Sequence, residues 1–213
     1  MNRPVRIVVI DSGVHASHPH VQGVSGGVGI DAGGNLQADF VDRLGHGTAV
    51  TAVIREKAPA AEILIAKVFD RELATTGVAL AAACEWAATQ RADLVNLSLG
   101  TTNVQHAEAL TAAVAQLRAR GTAIIAAGAQ DGVAWLPGIL PGVWSVNLDW
   151  RLPRDQCRVV TGGRDFSFFA SGFPRPIPGV PPEKNLKGLS FAVANVTGLL
   201  AAMFGRFETA PSS

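Results

Sequence analysis

Short apolar runs alternate with amphipathic or alanine-rich stretches along this chain. Val5–Ile10, Ile63–Phe69, Leu94–Leu97, Thr122–Ala127 and Val143–Leu148 are nearly continuous in apolar residues, the pattern of strands buried on both faces of a parallel sheet. Between them, Gly77–Gln90 is apolar on most faces. Val104–Arg120 places Ala107, Leu110, Val114 and Leu117 on one stripe and stops at Gly121, as a helix with one buried face does. Thr48–Ile54 and Gly188–Met203 are further apolar helical runs. The repeated strand–helix order predicts an α/β fold, a single-domain parallel β-sheet with helices on both faces, whose ligand site lies at the carboxyl ends of the strands.

Composition narrows the function classes. A chain of 213 residues with 48% hydrophobic content is long enough for one core, and one domain spanning 1–213 is expected. Its 18 basic and 17 acidic residues nearly cancel and form no like-charge block, so neither nucleic acid nor a membrane surface is an expected partner. The first apolar run is closed by Asp11 and is too short for a secretory core or a spanning helix, which predicts a cytoplasmic protein. Cys84, in a helical stretch, and Cys157, in a loop-like one, lack metal or redox spacing and read as reduced structural thiols. His15, His18 and His20 in HASHPH share a proline-containing loop that does not fix ligand geometry, so no metal is expected there. The proline-rich tract Phe173–Lys184 reads as a rigid surface loop, and Trp86 as part of a core-facing helix.

Three polar residues stand at element ends beside glycine. Asp11, in VVIDSG, closes the first strand, where alone it would cap a turn. His46, in LGHGTAV, lies between two glycines that remove bulk around the imidazole. Ser190 stands at a helix start, where a lone serine is ordinarily an N-cap, yet Gly188, Ala192 and Ala194 leave room for a ligand. Together they supply an orienter, a base and a nucleophile for acyl transfer.

In that order, and in the motifs IDSGVHASHP, GHGTAV and KGLSFAVANVTG, the chain resembles the subtilisin-like serine proteases. APAAEILIAKVF, ADLVNLSLG and RGTAIIAAGAQDG follow the same pattern in register, so the resemblance covers nearly the whole chain. It implies a cofactor-free endopeptidase acting on a peptide or protein substrate bound as an extended strand. Asp11 would orient His46, His46 would take the proton of Ser190, and the Ser190 N–H would be one oxyanion donor. Counting from Gly121 without a gap puts Gln130 where the family has a second, asparagine donor, whereas aligning AAG puts Ala129 there; Gln130 keeps Asp131 and Gly132 in register. Ser98, Leu99 and Gly100, with Ala127, Gly128 and Ala129, match the two segments that pair with the peptide and wall the pocket for the residue before the cut bond. Trp135 matches a position where wide-pocket members carry glycine, which implies cleavage after small residues unless the indole turns outward or packs in the core.

The departures from the family carry their own expectations. The loop that binds calcium in many members is missing, because Ala58-Pro59 follow His46 within about a dozen residues. Asn195 and Ala194 replace a usual histidine and proline, and Phe191 stands where methionine is common. No pro-region precedes the first strand of this sequence. With no secretory core in the sequence and a chain of this size, an intracellular, precursor-processing protease is expected. The alternative is a catalytically impaired scaffold that binds peptide strands, should Gln130 fail as a donor or Phe191 block the cleft.

Overall fold

The computed structural model describes residues 3–130, 132–162 and 165–207. In chain order the elements are β1 (Arg6–Asp11), β2 (Gly26–Ile30), β3 (Leu36–Gln37), α1 (His46–Lys57), β4 (Glu62–Lys67), α2 (Gly77–Thr89), β5 (Leu94–Leu97), α3 (Ala107–Ala119), β6 (Ala123–Gln130), β7 (Val133–Ala134), β8 (Trp144–Leu148), β9 (Cys157–Gly162), β10 (Asp165–Ala170) and α4 (Leu189–Phe207). They build one sheet in the order β3-β2-β4-β1-β5-β6-β8-β10-β9, with β7 attached to β6. Every neighbouring pair from β2 to β10 is parallel. Antiparallel β3 and β9 close the two edges.

Successive side chains of a strand point to opposite faces, so a doubly covered strand feeds two cores. Ile7 and Val9 of β1 pack with Val50, Val53 and Ile54 of α1 and with Phe191, Val193 and Val196 of α4. Val8 and Ile10 pack with Leu80 of α2 and Leu110, Val114 and Leu117 of α3 on the other face. The helices predicted on both faces of the sheet are thus present, α1 and α4 on one side, α2 and α3 on the other.

Two readings of the sequence need correction. Val104–Arg120 is not one helix: Asn103 accepts from the Gln105 N–H, and this tight turn makes Val104–His106 a 3₁₀ turn ahead of α3. Cys157 opens strand β9 instead of lying in a loop. Residues 158–162 of that edge strand are exposed, so no buried face marks it in the sequence.

A polar tie joins the sheet to α4. Asn96 of β5 is fully buried; its Nδ2 donates to Thr197 Oγ1 at 2.9 Å and its Oδ1 accepts from Ser98 Oγ at 2.8 Å. Thr197→Val keeps the side-chain shape but leaves Asn96 Nδ2 unpaired inside the core. The expected loss is about 1–3 kcal/mol, seen as a lower urea midpoint with unchanged slope. An unmoved midpoint would show that the tie carries no stability.

Candidate active site

β1 delivers Asp11 to the carboxyl end of the sheet with no exposed surface, and α1 begins with His46 directly above it. Asp11 Oδ1 lies 2.7 Å from His46 Nδ1 and accepts from the Ser12 N–H at 2.7 Å. Among the described residues, its Oδ2 is buried without a hydrogen-bond partner. The glycine after His46 has a steric cause. A Cβ on Gly47 would come within 2.3 Å of the Gly13 carbonyl oxygen and 3.2 Å of Asp11 Oδ1, so any side chain would prise α1 off the β1 turn.

A second buried carboxylate, absent from the sequence reading, organises this corner. Asp42 is 1% exposed. Its Oδ1 accepts from Ser12 Oγ and from the Leu44 and Gly45 N–H groups, each at 2.9 Å. Its Oδ2 accepts from the Thr48 N–H at 2.9 Å and Thr48 Oγ1 at 2.6 Å. Ser12 Oγ in turn accepts from the Gly47 N–H at 2.9 Å. Burial opposes the charge on Asp42, but the donors from Thr48, Leu44 and Ser12 outweigh it and hold its pKa below the usual carboxylate value. The signal available in the sequence was an aspartate just before GHGT, where helix starts draw acidic caps.

The same fields act on His46. Burial works against the imidazolium, yet the hydrogen bond and charge of Asp11, with the charge of Asp42 behind it, leave the pKa raised above its ordinary value. Ser190 is the second residue of α4 and is not its cap. Its hydroxyl donates to the Ser98 carbonyl at 2.9 Å and not to His46. Ser98 Oγ lies 3.0 Å from the Ser190 carbonyl, so two reciprocal contacts lock the start of α4 onto the end of β5. The ring of Phe191, buried beside Ser190, stands 5.8 Å from that of His46.

A cleft opens where β5 and β6 part company. Their last shared pair is Leu97 with Ala126. Beyond it Ser98–Gly100 and Ala127–Ala129 diverge until Thr101 bridges to Leu136. The chain after β7 crosses the gap: Trp135 N–H donates to the Gly128 carbonyl at 2.9 Å, and a Cβ on Gly100 would come within 2.9 Å of Trp135 Cβ. Trp135 Nε1 is buried without a partner among the described residues. Leu99 also faces a hollow of about 220 Å³ lined by Phe69, Leu73 and Leu80, three residues the sequence reading left out because they come from α2 and the preceding loop.

Residues 2–147 match the sequence profile of the subtilase family. The chain belongs to that family. The thermostable alkaline protease of Halalkalibacterium halodurans is 28% identical over 96% of this chain, which spans 58% of that relative's length. The nisin leader peptidase NisP from Lactococcus lactis shares the fold at TM-score 0.72 and 18% identity, over 97% of this chain and 80% of that one. The prenylagaramide maturation protease PagA shares it at TM-score 0.69 and 24% identity, over 96% and 76%.

The family match ends ahead of α4, so in this subtilase the placement of Ser190 is read from the contacts above. Gln130 ends β6 and pairs with Val133; its side chain lies outside the described residues. The Ala129 N–H donates to Asn147 Oδ1 at 3.2 Å. Asn195, buried in α4, donates through Nδ2 to the carbonyls of Ser171 and Phe173 at 2.8 and 3.1 Å, anchoring the chain that leads to Ser190. Burial pushes the Cys84 thiol up to about 12 and raises that of Cys157, so the neutral thiol is favoured at both. Among the described residues, no group of three or more His, Cys, Asp or Glu is placed to hold a metal, and no helix is long and apolar enough to cross a membrane.

A base must be neutral to accept a proton, so a raised pKa on His46 sets the acid limit of its use. The neutral fraction should fall as pH drops through a value above the ordinary imidazole pKa of about 6.5. Asp42→Asn removes one of the charges that raise it and should move that midpoint down. NMR titration of the His46 ring checks this. An unmoved midpoint in Asp42→Asn would leave Asp42 a purely structural role.

Proposed function

We propose that this chain is a serine endopeptidase that cuts peptide bonds after small residues through an acyl-enzyme. The observation that carries the reading is the 2.7 Å Asp11–His46 pair at the same end of the sheet as Ser190 on the first turn of α4. In this reading His46 takes the proton from Ser190 Oγ as that oxygen forms a bond to the substrate's carbonyl carbon. The carbonyl electron pair moves to oxygen. The Ser190 N–H, at a positive helix end, and the amide we assign to Gln130 stabilise that charge. His46 then returns the proton to the leaving amine as the carbon–nitrogen bond breaks, and water repeats the sequence in reverse roles.

Substrate would enter as an extended strand between Ser98–Gly100 and Ala127–Ala129. A peptide N–H bonding to the Ser98 carbonyl would displace the Ser190 hydroxyl, freeing it for His46. The hollow beside Leu99 suits an apolar side chain upstream of the cut bond. Trp135, spanning Gly100 and Gly128, supports a shallow pocket for the residue before that bond. The natural role we propose is trimming of a precursor peptide inside the cell; its support is the fold shared with a leader peptidase and a maturation protease.

A second reading, a scaffold that binds strands without cutting them, has one observation in its favour, the Ser190 hydroxyl bonded to Ser98 instead of His46. A fluorophosphonate probe separates the two. Labelling that is present in the natural protein and lost in Ser190→Ala is the expected result, and no labelling favours the scaffold. Peptide-library profiling should show a preference for Ala, Gly, Ser or Cys before the cut, with larger side chains disfavoured by about 1–3 kcal/mol. Trp135→Gly should admit Leu and Phe. A natural preference for Phe or Leu would refute the pocket assignment.

A further inference from the structure

A cavity of about 330 Å³ lies between the start of α1, just after His46, and the segment that leads to Ser190. None of its walls belongs to β5 or β6. One wall is the start of α1 beside His46, with Thr48, Ala49 and Ala52; the opposite wall is the segment leading to Ser190, with Pro174, Ile177 and Leu186. For a strand that enters between β5 and β6 and crosses between His46 and Ser190, this space, walled by residues next to both, is a candidate exit.

The chemistry of the walls is uneven. Their floor is apolar, and Ile177 and Leu186 are 45% and 51% exposed, surface that an apolar side chain would cover. The rim is formed by His15, His18, His20 and Arg175, and no carboxylate lines it. Glu56, whose charge reaches His20, is already paired with Arg154 and Lys57. Arg175 Nη1 donates to the His20 carbonyl at 3.5 Å, a long bond. The planar fork of Arg175 therefore retains donors for an incoming anion.

We propose that this cavity binds the part of the substrate released by cleavage, selecting a bulky apolar residue just after the cut bond and a carboxylate following it, with Arg175 as the specificity-determining cation. The inference rests on the endopeptidase reading. An extended chain advances about 3.3 Å per residue, so the apolar side chain and the carboxylate would belong to neighbouring residues.

The test uses quenched fluorogenic peptides identical before the cut and carrying Leu-Asp, Leu-Lys, Gly-Asp or Gly-Lys after it, together with a p-nitroanilide of the same acyl part. Ratios of kcat/KM within one enzyme cancel any loss of folded protein. Leu-Asp should exceed Leu-Lys by about fivefold, the scale of one partly exposed ion pair, and Gly-Asp by roughly tenfold or more. Arg175→Gln should level the Asp/Lys ratio, and Arg175→Glu should invert it. If the anilide is hydrolysed while all four peptides are cut alike, or Lys is preferred, this proposal is overturned and the peptidase reading stands. If neither anilide nor peptide is cut and the probe leaves Ser190 unlabelled, the peptidase reading falls and takes this one with it.

Discussion

Asp11 and Asp42 are withdrawn from water within one corner of the fold, 0% and 1% exposed. Burying a carboxylate without compensation costs several kcal/mol, so the surrounding backbone has to converge on these two groups. Asp42 collects the N–H groups of Leu44, Gly45 and Thr48, donors that a helix start leaves unpaired. Asp11 collects Ser12 and His46. Ser12 stands between them, giving its backbone N–H to Asp11 and its hydroxyl proton to Asp42, and accepting from Gly47 on the helix that Asp42 caps. Orientation of the imidazole thus follows from how two charges are kept inside, and Gly47 is required because the resulting gap between α1 and the β1 turn has no space for a side chain.

How legible this was in the sequence depended on whether the cause was local. Strands buried on both faces are continuous in apolar residues, so β5 was read to its residue limits and β1, β4, β6 and β8 to within a few. Asp11, His46 and Ser190 stood out in the sequence because glycine and small residues flank them, a local mark of close approach. β2, β3, β7, β9 and β10 escaped: the first is glycine-rich, β3 and β7 have two residues each, and β9 shows almost no buried side. Asp42 escaped because three of its five donors are backbone N–H groups, and the others, Ser12 and Thr48, leave no apolar pattern to mark them. The cavity beside His46 joins residues more than 100 positions apart, Thr48 and Arg175 among them, and no window of sequence contains it.

The departures from the family pattern fall into two physical kinds. Asn195 occupies a fully buried site in α4 and spends its amide on the Ser171 and Phe173 carbonyls, a scaffold task that a different donor can fill. Phe191 is buried 5.8 Å from His46 and belongs to the core beneath the site, so it packs against the imidazole instead of standing in the cleft. Neither touches the Asp11–His46 bond. Trp135 differs, because it lies across the gap between the two cleft segments while packing partly against the core.

That contrast separates the parts of the molecule by rigidity. Ser190 rides on α4, whose residues 191–198 are buried, and His46 on α1, packed against it in the same core. Both are seated on the sheet in which β1, an inner strand, carries Asp11. The cleft and the cavity each have one wall on a regular element, β6 at Ala127–Ala129 and α1 at Thr48–Ala52, and the rest of their walls from 69–73, 98–101, 135 and 174–186, segments that lie mostly outside regular elements. Side chains on packed elements hold reacting atoms to within about 0.5 Å, whereas loops accept substitution with little cost to the core. On the proposed reading, a change at Arg175, Ile177 or Trp135 would therefore alter which peptide fits without disturbing the charges buried at Asp11 and Asp42.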